Sequence, residues 1–277
     1  MELKIEDDFS PEKIMHSGQC FRVLLREDGA YRFVTGQEVL YLRPLGESAW
    51  EASCEEKTWE RVWAPYFDLG RDYRTLRAAA AGKHPLIDEA MGLGEGLRLL
   101  RQDPWEMLVT FILSQRKSIP AISSAVETLA SRYGALLETG EETVHAFPTP
   151  EELRDATEGD LRACALGYRA PYVADAVRRV LEGSLDLGAL ASAGDAELTR
   201  ALLSVRGVGA KVAACVSLFG YGRLGSVPVD VWIRRAIQED CGGCEPFSAF
   251  GEAAGIMQQY VFFAMRSRGR KRKENRE

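Results

Sequence analysis

In the stretch LLSVRGVGAKVAACVSLFGYGRLGSVPVDVW, Leu202 to Trp232, a Gly207-Val208-Gly209 turn is followed two residues later by Lys211. Nineteen residues further on comes Asp230, closing Val227-Pro228-Val229-Asp230. A core helix needs neither the glycines nor the two charges. Two glycines let a backbone approach another object closely, and the free N–H groups of the helix that follows favour an anion such as a nucleic-acid phosphate. Gly207, Gly209 and Val212, at the turn and just after it, are the candidate phosphate contacts. A plain helix–helix turn uses the same glycines, so on their own they leave both readings open.

Lys211 falls in the first turn of the new helix, where the positive end disfavours an ammonium. Partial burial adds to that effect, so a lysine at such a place can supply a neutral amine as nucleophile. Asp230 is placed to N-cap a helix over Val231–Glu239. A capping carboxylate is also a fixed, oriented negative charge, so the structural and the chemical readings are compatible.

These residues need a sizeable scaffold, and 277 residues with 46% hydrophobic and 27% charged side chains supply one. No run of eighteen apolar residues occurs, and the N-terminus lacks the basic-then-apolar order of a signal peptide. The expectation is an intracellular protein, cytoplasmic for a bacterial source and nuclear for a eukaryotic one. Six scattered cysteines fit free thiols, and Cys241-Gly-Gly-Cys244 stands without a second pair, so no metal site is expected. The net charge of −6 is unevenly placed: residues 266–277 carry seven basic and two acidic side chains, leaving the remainder at −11. Such a tail attracts phosphate or merely solubilises.

The early chain reads as β. Phe21–Glu27 and Tyr31–Thr35 flank an Asp28-Gly29 turn, and Val39–Arg43 makes a third strand. Trp59, Val62, Trp63, Tyr66 and Phe67 recur at helical spacing around Pro65. From about residue 84 the pattern is almost wholly helical. Asp103-Pro104-Trp105-Glu106 is a cap, a first-turn proline and a capping-box glutamate. Further helices are expected from Ile119 to Tyr133, after Thr149-Pro150, and from Tyr172 to Leu181. The fold class is α+β: an N-terminal antiparallel β-sheet domain over residues 1–85, then a helical region over 86–277. Within the latter, about 117–200 forms a helical bundle, about 201–265 carries the helix-hairpin-helix and catalytic segment, and 266–277 is a basic tail.

Taken together, the hairpin, Lys211 and Val227–Asp230 resemble the helix-hairpin-helix, Gly/Pro-Asp superfamily of DNA glycosylases, in its 8-oxoguanine branch. Leu99-Leu-Arg-Gln-Asp-Pro104, Phe147-Pro148, Leu166-Gly-Tyr-Arg-Ala-Pro-Tyr-Val173 and Ser17-Gly18-Gln19-x-Phe21-Arg22 match further blocks, so the resemblance covers about residues 10–265. It implies a bifunctional glycosylase/AP lyase acting on 8-oxoguanine in duplex DNA. Lys211 would attack the sugar C1′, and Asp230 would orient the attack and stabilise the cationic sugar. Gly18 would accept a hydrogen bond from N7–H of the oxidised base, a proton that guanine lacks. Phe262 and Cys215 would sandwich the base, Gln258 would read its Watson–Crick edge, and Pro228 would complete the pocket. Tyr168 would wedge into the stack and Arg169 would contact the orphaned base. The resemblance further implies no cofactor beyond a monovalent cation held by hairpin carbonyls, and a monomer whose partner is double-stranded DNA and not a membrane.

The chain departs from that pattern in three places. Ser114-Gln-Arg116-Lys-Ser118 stands where better-known members carry an asparagine, Ala121 where they carry an arginine reading the opposite cytosine, and Trp232 where they carry a histidine. Arg116 is a candidate to fill the gap left by the extruded base. A glycosylase for another damaged base, or a non-catalytic hairpin module that binds DNA, are the alternatives; the second needs neither Lys211 nor Asp230.

Overall fold

The computed structural model describes the backbone of residues 1–274 and the side chains as far as Gly269. Its N-terminal part is a five-stranded antiparallel sheet ordered β1-β5-β4-β3-β2. The strands are β1 (Glu2–Lys4), β2 (Val23–Leu25), β3 (Tyr31–Thr35), β4 (Glu38–Pro44) and β5 (Ala49–Ala52). Alternation places Phe33, Leu40 and Leu42 inside, and register pairs Phe33 with Leu40. The Asp28-Gly29 turn closes as expected, with Arg26 N–H donating to the Ala30 carbonyl at 2.9 Å. Strands β1 and β5 were outside the sequence expectation; three- and four-residue strands are too short to show a period.

The helical region contains α2 (Pro85–Leu93), α3 (Pro104–Leu113), α4 (Ile119–Tyr133), α5 (Ala170–Leu181), α6 (Asp195–Leu203), α7 (Ala210–Phe219), α8 (Val231–Asp240) and α9 (Ala254–Glu274); α1 (Pro11–His16) precedes them in the N-terminal part. Helix α3 is buried from Trp105 to its end and α9 packs on α2. The aromatic run around Pro65 is one irregular helical path: a π-turn over Trp59–Trp63 sends the Ala64 N–H to the Trp59 carbonyl. Proline, with no N–H, fits just after that widened turn.

Three expectations in this region need correction. Leu136–Glu138 and Thr143–His145 form a two-stranded hairpin, β6 and β7, inside what read as helical sequence. Arg32 Nη1 grips the hairpin's Glu142 at 2.8 Å, and Arg22 Nη2 holds the His145 carbonyl at 2.6 Å. Tertiary partners, not periodicity, decide that segment. After Thr149-Pro150 no helix forms, although Thr149 and Glu152 exchange capping hydrogen bonds. The chain turns instead, and a short helix starts only at Glu158, where Thr157 and Asp160 complete a capping box. The cap alone does not carry a helix without an apolar face to follow it. Glu106 likewise leaves its capping box half made: its N–H donates to Asp103 at 2.8 Å, but its own carboxyl lies buried near Arg22.

Arg98, 1% exposed, joins the two parts of the molecule. Its guanidinium donates to the carbonyls of Phe67, Asp68 and Arg71 at 3.0, 2.7 and 2.6 Å and to the Asp7 carboxylate at 2.9 Å. The basic tail starts within α9; its side chains from residue 270 on, and residues 275–277 entirely, lie outside the described residues.

Candidate active site

The starts of α7 and α8, the middle of α9 and one N-terminal loop converge on a chamber of about 370 Å³ lined by Gly18, Lys211, Asp230, Trp232 and Phe262. A smaller recess of about 50 Å³ continues inward to Cys215, Pro228, Gln258 and Gln259. Residues from both ends of the chain thus meet the central segment.

The hairpin forms as its glycines require. Helix α6 ends at Leu203, Gly207 takes φ +81°, and Gly209 leads in extended conformation into α7. A Cβ on Gly207 would fall 2.3 Å from the Tyr172 ring, so only glycine fits beneath that aromatic. No side chain caps α7, and its first-turn N–H groups, Val212 among them, have no helical acceptor. The Val212 side chain itself is buried, so any phosphate contact there is through the backbone.

Lys211 extends from the first turn of α7 over the face of Phe111, 4.9 Å from its centroid, and reaches Ser114 Oγ at 3.4 Å. Phe111 in turn stacks on Phe219 at 5.5 Å, a hydrophobic floor that holds the amine in place. Asp230 caps α8, accepting the Ile233 N–H at 2.9 Å. Burial pushes its carboxyl above the ordinary aspartate range, opposed by that N–H and by the positive charge of Lys211. Cys215, one helical turn beyond Lys211, is buried; desolvation raises its thiol, with Lys211 opposing.

The Ser17–Gln19 loop is fixed from two sides. Gln19 donates to the Arg98 carbonyl at 2.8 Å, and its Oε1 accepts the Leu100 N–H at 2.8 Å. From α9, Gln259 Nε2 reaches the Ser17 carbonyl at 2.8 Å and Arg266 reaches that of His16 at 2.7 Å. Between these clamps Gly18 has φ +74°, and a Cβ there would stand 3.0 Å from both Ile119 Cδ1 and Phe262 Cε1. The neighbouring glutamines divide their tasks: Gln259 holds the loop, whereas Gln258, 3% exposed, leaves Oε1 without a partner beside the inner recess.

Tyr168 and Arg169 lie on a 3-10 turn between Leu166 and α5. Tyr168 is 50% exposed, but Arg169 is only 5% exposed. The Arg169 guanidinium lies 4.3 Å over the Tyr168 ring and donates to the carbonyl of Gln115, with Nε unpartnered. The aromatic is therefore presented to solvent while the arginine beside it is held inward. Arg116 is exposed with φ +55°, and Ala121 is exposed on α4. Trp232 stands at the chamber mouth with its ring against Gly269. Sequence alone assigned no role to Ser114, Gln115, Gln19 or Gln259, although each lies within or beside a segment that carries the resemblance. Among the described residues no group of three His, Cys, Asp or Glu side chains suits a metal, and no helix is long and apolar enough to cross a membrane.

The chain is similar to known proteins along most of its length. Residues 2–108 match the N-terminal domain of 8-oxoguanine DNA glycosylase, and residues 109–245 the HhH-GPD superfamily of base excision DNA repair proteins. The solved structure of MBOgg1 in complex with a low-affinity DNA ligand is 35% identical, with a TM-score of 0.91 over 97% of this chain and 96% of that one. Clostridium acetobutylicum 8-oxoguanine glycosylase/lyase, solved with double-stranded DNA containing cytosine opposite 8-oxoguanine, is 32% identical with a TM-score of 0.88, over 97% of this chain and 98% of that one. The Arabidopsis thaliana N-glycosylase/DNA lyase OGG1 is 32% identical over 90% of this chain and 75% of its own length. The chain belongs to the 8-oxoguanine DNA glycosylase branch of the HhH-GPD superfamily of base excision DNA repair proteins.

Proposed function

We propose that the protein excises 8-oxoguanine from double-stranded DNA and then cleaves the resulting abasic strand, acting as a monomer. The observation that carries this reading is that Lys211 and Asp230, nineteen residues apart in sequence, line one chamber with Gly18 and Phe262. A hairpin serving only to bind DNA has no use for that pairing.

The chemistry follows from the groups present. The target nucleotide leaves the stack, at a cost of a few kcal/mol that wedge and pocket contacts offset. Tyr168 fills the stack, and Arg116 and Arg169 serve the vacated position and the orphaned base. The phosphates rest on the N–H groups at Gly207, Gly209 and Val212. Phe262 and Cys215 bracket the base, Pro228 bounds it, Gln258 meets its Watson–Crick edge, and the Gly18 carbonyl accepts N7–H. The Lys211 amine attacks C1′ as the C1′–N9 bond breaks, and the base leaves with the bonding electron pair and takes up a proton. Asp230 stabilises the positive charge that develops on the sugar. Loss of a proton from nitrogen and opening of the sugar ring give a Schiff base, and removal of a C2′ proton expels the 3′ phosphate by β-elimination. The neutral carbonyls of the hairpin suit a monovalent cation, which would brace the turn and takes no part in these steps.

Borohydride trapping tests the assignment. Wild-type protein should form a covalent adduct with an 8-oxoguanine duplex, and Lys211→Gln should form none. An adduct with Lys211→Gln would remove Lys211 as the nucleophile.

A further inference from the structure

The segment Ser114–Lys117, between α3 and α4, touches separate parts of the site at once. Ser114 Oγ receives Lys211 at 3.4 Å. Gln115 Nε2 donates to the Gly207 carbonyl of the hairpin at 3.0 Å. The Gln115 carbonyl accepts from Arg169 and, at 3.5 Å, from the Tyr168 hydroxyl. Lys117 Nζ donates to the Ala165 carbonyl at 2.6 Å, just ahead of the same loop. One residue therefore holds the hairpin by its side chain and the Tyr168 loop by its main chain. Tyr172 closes the ring from behind: it covers Gly207 and meets Tyr168 edge-on at 6.2 Å.

We propose that Gln115 is a positioning residue that couples the hairpin to the Tyr168–Arg169 wedge. Seating of the DNA backbone on the hairpin then sets how far along the strand Tyr168 enters the stack. The spacing fixed in this way is the one that brings C1′ to Lys211, whose own contact, Ser114, is the preceding residue. A side-chain amide can bridge in this manner because it donates to a carbonyl without adding charge where phosphates must bind. The local backbone supports the bridge: Arg116 at φ +55° turns the chain sharply so that Gln115 and Lys117 both reach back to the protein. This inference rests on the reading of the protein as a base-flipping glycosylase.

The test compares two reactions of the full chain. Single-turnover excision from an 8-oxoguanine duplex needs the stack to be invaded, whereas β-elimination at a preformed abasic site in single-stranded DNA does not. Gln115→Ala should slow the first about tenfold, the scale of a modest misplacement of reacting groups, and change the second less than about twofold. In a Tyr168→Ala background, Gln115→Ala should slow duplex excision by less than about twofold, because the element it positions is already gone. Gln115→Glu, which keeps the length but sets a carboxylate against the Gly207 carbonyl, should reproduce the split, with melting temperature and circular dichroism confirming that each variant folds. Equal losses in both reactions, full additivity with Tyr168→Ala, or unchanged duplex excision would each overturn the coupling. A wild-type protein inert on the duplex would overturn the glycosylase reading itself, a result distinct from an active wild type whose Gln115 variants show no split.

Discussion

The Asp230 carboxylate accepts the Ile233 N–H at 2.9 Å and also lines the chamber that holds Lys211. One side chain thus caps α8 and presents a fixed carboxyl to the chamber. Asn caps about as well as Asp, so Asp230→Asn should leave the melting temperature nearly unchanged. Excision should fall about a hundredfold to a thousandfold, the scale of losing one preorganised charge-stabilising group. Because burial raises the Asp230 carboxyl, the wild-type rate should be lost with falling pH above the ordinary aspartate range, as the ionised form disappears. That acid limb should be missing from the residual activity of Asp230→Asn. Parallel losses of stability and rate would leave Asp230 as a cap alone.

Gly18 and Phe262 make a second close pair. A Cβ on Gly18 would meet Phe262 Cε1 at 3.0 Å, and the backbone there has φ +74°. Gly18→Ala should therefore cost about 1–2 kcal/mol of stability from the left-handed conformation alone. The effect on catalysis should be larger, since the Phe262 ring that lines the chamber must shift. Excision of 8-oxoguanine should drop at least about tenfold while β-elimination at a preformed abasic site changes less. Denaturant unfolding and the two rates, measured on one preparation, check this.

How much of this was legible beforehand depends on how local the signal is. The starts of α3 and α8 are encoded by single capping residues, Asp103 and Asp230, and the hairpin by two glycines, so those elements, with Lys211 and Asp230 at the starts of α7 and α8, could be read directly. The β6–β7 hairpin depends on Arg22 and Arg32, more than a hundred positions away, and no local pattern announces it. The clamp on Gly18 joins Ser17 to Gln259 across 242 positions. Arg169 carries the right motif, yet its inward pose is set by a carbonyl 54 residues earlier in the chain. Residue types reveal what chemistry is possible; the contacts that aim them are distant in sequence.

Glu106 gives a pH dependence outside the chemistry. Burial pushes its carboxyl up to about 7, with the Arg22 charge opposing, from an ordinary value of 4.5. Between those values the folded protein keeps a proton that the unfolded chain has released, so stability contributed by this group falls as pH rises and levels off above about 7. The full change is about 3 kcal/mol. Glu106→Gln removes the titration. The difference in unfolding free energy, wild type minus Glu106→Gln, should decline across that window by about that amount; a flat difference would show that Glu106 is ionised throughout.

Selectivity for the base opposite the lesion turns on Ala121. Ala121 is exposed on α4, where a reader of cytosine would sit, and alanine cannot make a bidentate contact to a base edge. Such a contact is worth about 1–3 kcal/mol, roughly one to two decades of discrimination. Arg169 remains, but the Gln115 and Leu166 carbonyls hold two of its nitrogens and leave it no free fork for a bidentate contact, and Arg116 brings charge without preferring one base. The protein should therefore remove 8-oxoguanine opposite all four bases, with a cytosine preference well under about a hundredfold. Four duplexes differing only in the opposite base, compared by single-turnover excision, measure this directly. Ala121→Arg should raise the preference for cytosine. A wild-type preference of a hundredfold or more, unchanged in Ala121→Arg, would mean that Arg169 or another group reads cytosine without help from α4.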